Sequence, residues 1–193
     1  MDMILKDVCK KYSKLTIIQK QDIIIKNGEL SLFVGVNGSG KTTLIKCILS
    51  HINYQGKIDY NNEIFSYMPD KVYLPSYMKV IDYLTLFAEY DIICRELEKF
   101  KMLEAKNRYL YQLSKGMSQK VSLISTLTKN ATCYIFDEPT SGLDKESIEL
   151  FVKEIDKLLK LDKKVIVITH NTNFYNNLKY HLYEISEISE KIN

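Results

Sequence analysis

Leu30 to Val34, Thr132 to Phe136 and Lys164 to Thr169 are short runs that stay almost entirely apolar on both alternating faces. A strand covered on both sides reads this way, because neither face meets water, and such strands belong to parallel sheets. The first run passes through a glycine-rich segment into Leu44, Ile45, Ile48 and Leu49, which repeat at helical spacing. The order strand, glycine loop, helix is therefore predicted there. Ahead of it, Ile4 to Val8, Leu15 to Ile18 and Ile23 to Ile25 read as short β segments separated by turn-like interruptions. After it, Gly56 to Tyr60 and Ile64 to Met68 continue the β pattern. These segments predict an antiparallel edge beside a parallel core. From Val80 to Lys129 the period becomes helical, through Val80, Tyr83, Leu84 and Phe87, then Leu97, Phe100 and Leu103, then Val121, Ile124 and Leu127. A last strand is expected from Tyr180 to Ser186, followed by a polar tail. The chain is predicted to be α/β, one domain over 1–193, with a core from about 1–70 and 130–193 and a helical insertion at about 71–129.

Composition narrows the class of protein. Of 193 residues, 46% are hydrophobic and 26% charged, the balance of a chain that builds a core. The net charge of +3 comes from signs interleaved along the chain, which gives no basis for a nucleic-acid partner. Apolar runs such as Ile23 to Ile25 and Val165 to Ile168 fall far short of the roughly 20 residues of a spanning helix. The opening Met1 to Asp7 holds a three-residue apolar patch closed by charges, where a secretory signal would carry about 7 to 15 apolar residues. Cys9, Cys47, Cys94 and Cys133 lie 38 to 47 positions apart without a paired motif, so they are expected to be reduced thiols. A cytoplasmic protein is the expectation.

Each of the apolar runs is followed at once by residues that can do chemistry. Gly35-Val36-Asn37-Gly38-Ser39-Gly40-Lys41-Thr42 fits the pattern G-x-x-x-x-G-K-[ST], followed by Thr43 at the helix start. In that pattern the glycines turn backbone N–H groups around phosphate oxygens. The lysine reaches the β- and γ-phosphates, and the hydroxyl serves Mg²⁺. Asp137 and Glu138 close the second run, where an uncompensated buried carboxylate would be costly. In a phosphate-binding protein Asp137 would hold the metal through its water shell and Glu138 would polarise the attacking water. Read alone, Asp137-Glu138-Pro139 also fits a plain turn at a strand end. His170 follows the third run. Ser114, ahead of an apolar helix, fits an N-cap whose free amides could bind an anion, in this chain or in a partner.

Taken together these motifs resemble the ATP-binding subunit of an ABC (ATP-binding cassette) transporter, over nearly the whole chain. Gly35 to Thr43 resembles the Walker A loop, and Leu113 to Met117, with Ser114, Lys115, Gly116 and Met117, resembles the signature motif. Tyr134 to Glu138 resembles Walker B, Ser141-Gly142-Leu143-Asp144 the D-loop, and His170 the switch histidine. The resemblance implies a P-loop NTPase fold of the RecA-like type, with ATP and Mg²⁺ bound by Lys41, Thr42 and Asp137 and with Glu138 and His170 at the reacting phosphate. It further implies a head-to-tail homodimer, each ATP lying between the P-loop of one copy and the signature of the other. Such a dimer drives a separately encoded transmembrane permease from the inner face of the membrane. Tyr12, 23 residues ahead of Gly35, stands where this family stacks an aromatic on adenine; packing is the other reading of that position.

Two departures are visible. Tyr67-Met68-Pro69-Asp70 carries aspartate where the family has glutamine, so Asp70 offers Mg²⁺ a shorter, charged donor. Leu113-Ser114-Lys115-Gly116-Met117 departs from Leu-Ser-Gly-Gly-Gln and is similar to the heme-export, antibiotic-export and bacteriocin-immunity type. Following Asp70, the segment Lys71 to Asp91, with Tyr73, Leu74, Tyr77, Leu84 and Phe87, would line a groove for the permease where it is not core. A soluble ABC machine and a non-hydrolysing nucleotide-binding regulator are the rival functions. Tyr12→Ala is expected to weaken adenine-nucleotide affinity about tenfold, as stacking on a base contributes about 1–3 kcal/mol. Equilibrium titration with a fluorescent nucleotide measures this.

Overall fold

Residue parity along three neighbouring strands divides the interior into two cores. In the computed structural model, which describes residues 1–12, 15–18, 22–185 and 187–188, the strands run β1 (Met3–Tyr12), β2 (Leu15–Ile18), β3 (Ile23–Ile25) and β4 (Leu30–Val34). Helix α1 (Lys41–Ile48), β5 (Gln55–Asp59) and β6 (Phe65–Met68) come next, then α2 (Val80–Leu84), α3 (Tyr90–Lys99) and α4 (Lys115–Leu127). The chain continues with β7 (Cys133–Asp137), α5 (Lys145–Lys160), β8 (Lys164–Ile168), β9 (Tyr180–Glu184) and β10 (Glu187–Ile188). Short 3₁₀ turns lie at Leu103–Ala105, Leu110–Gln112 and Thr172–Tyr175.

One sheet has the order β6-β7-β8-β4-β9, with every pairing parallel. Leu30, Leu32, Tyr134, Phe136, Val165 and Val167 point into a core shared with α2 to α5. Their alternates Phe33, Cys133, Ile135, Ile166 and Ile168 point into a second core with α1 and the antiparallel strands. This two-sided burial is the physical reason the three runs lack polar alternation. Helix α5 shows the opposite case: Phe151, Ile155 and Leu158 form a buried stripe at helical spacing, and its other faces carry charge. The Phe151 ring meets Phe136 edge-on at 5.0 Å between centroids.

The antiparallel strands form a sheet of their own, in the order β10-β2-β1-β3 with β5 on β1. Two expectations about strand layout need correction. Ile64 to Met68 does not extend the antiparallel strands; β6 pairs in parallel with β7. The first segment is also not interrupted after Val8, since β1 runs for ten residues. Within it a bulge shifts the register with β5 between Lys6 and Cys9. Asp7 adopts φ 48°, and opposite it Gly56 takes φ 92°, where a Cβ would lie 2.3 Å from the Asp7 carbonyl oxygen. Only glycine admits that approach.

At the amino-terminal edge of the parallel sheet, away from the glycine loop, Lys164 and Glu63 form an ion pair of 2.6 Å, their side chains only 3% and 4% exposed. Lys164 also donates to Asn27, and Thr132 donates to Glu63. Removing one partner leaves a buried charge uncompensated. Lys164→Met is therefore expected to cost about 3–5 kcal/mol in urea unfolding, whereas Lys164→Met with Glu63→Leu should recover most of that loss.

Candidate functional site

The parallel register brings three strand ends to one level. Phe33 and Asp137 are both paired with Ile168, and the ladder continues beyond the strands, with Thr169 N–H donating to Phe33 O (3.2 Å) and Glu138 N–H to Ile168 O (3.0 Å). The glycine loop, the Asp137-Glu138 pair and His170 consequently open into one cleft. Its volume is about 440 Å³, and Asn37, Gly38, Gly40, Lys41, Thr42, Thr43, Asp70, Asp137, Glu138, Ser141 and His170 line it. Carboxyl ends of parallel strands are where open α/β sheets receive ligands.

Gly40 caps α1 at φ 97°, turning the loop straight into the helix. Gly35 lies between the Ile185 carbonyl and the buried hydroxyl of Ser39, where a Cβ would lie only 2.3 Å and 2.6 Å from them. Lys41 is 7% exposed, and its ammonium donates to the carbonyls of Gly35 (2.8 Å) and Val36 (2.9 Å). No carboxylate among the described residues lies within ion-pair distance of it. The loop thus holds a buried cation by neutral acceptors, with its charge left for an anion.

Thr42 Oγ1 donates to Asp137 Oδ2 at 2.8 Å. Burial raises the Asp137 carboxyl above its usual range, opposed by the Thr42 hydrogen bond. Among the described residues no group of three or more His, Cys, Asp or Glu is arranged to hold a metal alone. A hydroxyl and a carboxylate oxygen in contact, with Asp70 on the same wall, fit a hard cation that brings phosphate oxygens and waters as its remaining ligands.

Glu138 follows the strand at φ 50°, a left-handed conformation rarely adopted by a residue with a side chain. Burial raises its carboxyl too, opposed by the charge of His170. His170 Nε2 stands 3.0 Å from Glu138 Oε1, close in distance but without the alignment of a hydrogen bond.

The signature segment does not line this cleft in the same chain. Ser114 caps α4, its Oγ accepting from Met117 N–H at 3.3 Å, and Gly116 lies directly against the D-loop. A Cβ on Gly116 would come within 2.8 Å of the Gly142 carbonyl oxygen, and the stem of Lys115 runs beside Gly142. Leu143 packs on the first core. Asp144 accepts from Lys120 (2.8 Å) and caps α5 through Ser147 N–H (2.8 Å). Tyr12 ends β1, and its side chain lies outside the described residues.

Two residues that pattern reading did not single out join these parts. Gln119, buried on α4, donates to the carbonyls of Glu138 and Pro139, both at 3.4 Å. Lys120 forms the bond to Asp144. Gln119 is one of several polar residues at buried positions of α4, with Ser122, Ser125 and Thr126, so the sequence does not single it out, and its partners, being backbone carbonyls, leave no trace.

A strand–P-loop–helix unit with acidic and histidine residues at the neighbouring strand ends defines a P-loop nucleotide-binding domain of the α/β class. Residues 18–141 match the ABC transporter family model, and the chain belongs to that family. It is 32% identical over 178 residues to a zinc import ATP-binding protein of Ehrlichia chaffeensis, covering 88% of this chain and 74% of that one. With a hemin import ATP-binding protein of Staphylococcus epidermidis it shares 29% over 206 residues, covering 91% and 92%. The chain spans 66% to 92% of the lengths of the curated relatives it matches. Among solved structures, an ATP-binding subunit of an ABC transporter superposes with a TM-score of 0.88 at 21% identity, covering 96% of this chain and 86% of that one. No helix among the described residues is long and apolar enough to cross a membrane.

Asp144 links the signature helix to the D-loop, and its carboxyl is held well below the usual range by the Lys120 hydrogen bond and then by the Ser147 amide. Asp144→Ala is expected to lose about 1 kcal/mol at neutral pH, mainly the helix cap. A carboxylate with a depressed folded-state pKa contributes its stability above the unfolded value of about 3.9. Denaturation of both proteins along a pH series should show the difference constant at neutral pH and shrinking as pH falls below that value.

Proposed function

We propose that the chain binds ATP with Mg²⁺ in this cleft and hydrolyses it, as the ATP-binding subunit that powers a separate transmembrane permease. The buried Lys41 ammonium, held by carbonyls and close to the Thr42–Asp137 contact without an ion-pair partner among the described residues, is the observation that carries this reading. Mg²⁺ bound with ATP supplies charge neutralisation at the β- and γ-phosphates. In this reading the backbone of Asn37 to Thr43 and the start of α1 cradle the phosphates, and Lys41 moves its hydrogen bonds from the Gly35 and Val36 carbonyls to phosphate oxygen. Thr42 and Asp137 hold the metal side of the ligand, with Asp70 as an outer donor. Glu138 accepts a hydrogen bond from the attacking water, and His170, on the other side of that carboxylate, contacts the γ-phosphate oxygens.

The signature residues Ser114, Lys115, Gly116 and Met117 complete the site of a second copy in a head-to-tail homodimer. Their position outside their own chain's cleft supports this, as does the contact of Gly116 with Gly142, which would let the D-loop sense the partner. The segments 1–70 with 130–193, and 71–129, are the two mechanical parts. Tyr73 and Tyr77 are exposed on the second part while Leu84 is buried, which supports a permease groove built from the outward half of that segment. The chain thereby sits at the inner face of the membrane. The signature form supports export as the direction, although the named activities of two relatives are import, and transport by the reconstituted complex distinguishes them.

Lys41→Ala is expected to weaken ATP binding about 10- to 150-fold, the loss of a charge-assisted hydrogen bond of about 1.5–3 kcal/mol. Glu138→Gln should bind ATP normally, lower kcat at least about 100-fold and accumulate an ATP-bound dimer seen by light scattering. Hydrolysis by Glu138→Gln at the parent rate would remove Glu138 from its role.

A further inference from the structure

The chain turns back beneath the cleft immediately after His170. Thr169 Oγ1 accepts from Asn171 N–H (3.0 Å), and Asn171 caps the 3₁₀ turn through Asn173 N–H (3.1 Å). The turn ends on Tyr175, whose carbonyl accepts from Leu178 N–H (2.9 Å). This folds the Tyr175 side chain into the first core, in one cluster with Phe136, Phe151 and Val167, where it is fully buried.

Its hydroxyl has no hydrogen-bond partner among the described residues. Other tyrosines that bury their rings in this protein use theirs: Tyr134 donates to Lys129 O (2.6 Å), Tyr183 to Ile24 O (2.7 Å) and Tyr60 to Cys47 O (3.2 Å). An unpaired buried hydroxyl destabilises the fold, and phenylalanine would fill the same space without that penalty. Packing therefore accounts for the ring and not for the oxygen.

The group with complementary capacity is Glu138, whose charge acts on the Tyr175 phenol and whose buried Oε1 faces His170 Nε2 at 3.0 Å without accepting a hydrogen bond. Burial, and then the negative charge of Glu138, push the Tyr175 phenol far up, so it remains a proton donor at every working pH. A permanent donor and a carboxylate that can accept a further hydrogen bond thus lie at the same end of the sheet, Glu138 two residues beyond Phe136 and Tyr175 in the cluster that holds Phe136. We propose that Tyr175 is a positioning residue for hydrolysis, donating a hydrogen bond that reaches the Glu138 carboxylate through one water. The bond restricts the carboxylate to the orientation in which its other oxygen faces the attacking water, while His170 approaches from the exposed side.

The proposal rests on the reading of Glu138 given above, and its test separates the two. Tyr175→Phe should lower kcat about tenfold or more while leaving KM for ATP and ATP-dependent dimerisation within twofold, because orientation of a reacting group and not binding is lost. Thermal unfolding gives a second readout independent of turnover. Tyr175→Phe should lower Tm by about 2–4 °C in the parent and have no effect in Glu138→Ala, a non-additivity expected of groups joined in one hydrogen-bond network. An unchanged kcat, or an equal Tm shift in both backgrounds, overturns the proposal. Failure of the Glu138 reading itself would register separately, as parent-rate hydrolysis by Glu138→Gln.

Discussion

The shared pairing of Phe33 and Asp137 with Ile168 fixes where every charged group of the cleft can stand. Parallel strands joined by helices place all their carboxyl ends on one edge, and the β7-β8-β4 neighbours place three of those ends side by side. A slip of one residue in β7 would send Asp137 to the other core, because side chains alternate between faces. The cleft therefore inherits its geometry from strands that are themselves buried on both sides and hard to deform. Onto that frame the loop adds one buried ammonium, and the adjoining strand ends add carboxylates lifted above their usual range by burial. Opposed charges kept apart in a partly dry cleft are arranged for a ligand that carries both signs, as a metal–phosphate complex does.

Helix α4 ties the rest of the molecule to that frame. Its amino terminus carries Ser114 to Met117, and within two turns Gln119 reaches the carbonyls of Glu138 and Pro139 while Lys120 reaches Asp144. A displacement of α4 cannot leave the D-loop or the end of β7 untouched, since Gly116 already abuts Gly142 with no room for a methyl group. The same backbone that would face a second copy is thus mechanically continuous with the carboxylate proposed to orient water. Tyr175 would act from the opposite side of that carboxylate, so that Glu138, already in an unfavourable φ region, is constrained by α4 through its backbone and by the core through its side chain.

The order of chemistry-bearing segments was legible in the sequence: the glycine loop between an apolar run and a helical repeat, Asp137 and Glu138 closing one strand, His170 closing another. These signals are local, because a strand end, a loop and a helix start are each set by a handful of adjacent residues. The helices of the insertion were likewise readable from their apolar period. Less legible were the full length of the first strand, which continues past Val8 to Tyr12 through a bulge opposite Gly56, and the placement of β6, whose pattern does not reveal its neighbour.

Tertiary structure alone decided which groups meet. Lys164 pairs with Glu63 across 101 positions of sequence, Thr42 with Asp137 across 95, and nothing near either residue announces its partner. The buried ring of Tyr175 is a further instance, since a tyrosine in a short polar turn after His170 gives no sign that its ring enters the core and its hydroxyl is left without a partner among the described residues. Periodicity encodes which face of an element is buried, so the sequence by itself determined the elements, their order and the nature of the loop chemistry. Hydrogen bonds and ion pairs between distant segments depend on sheet order and register, which follow from packing the whole chain, and these only the folded structure could decide.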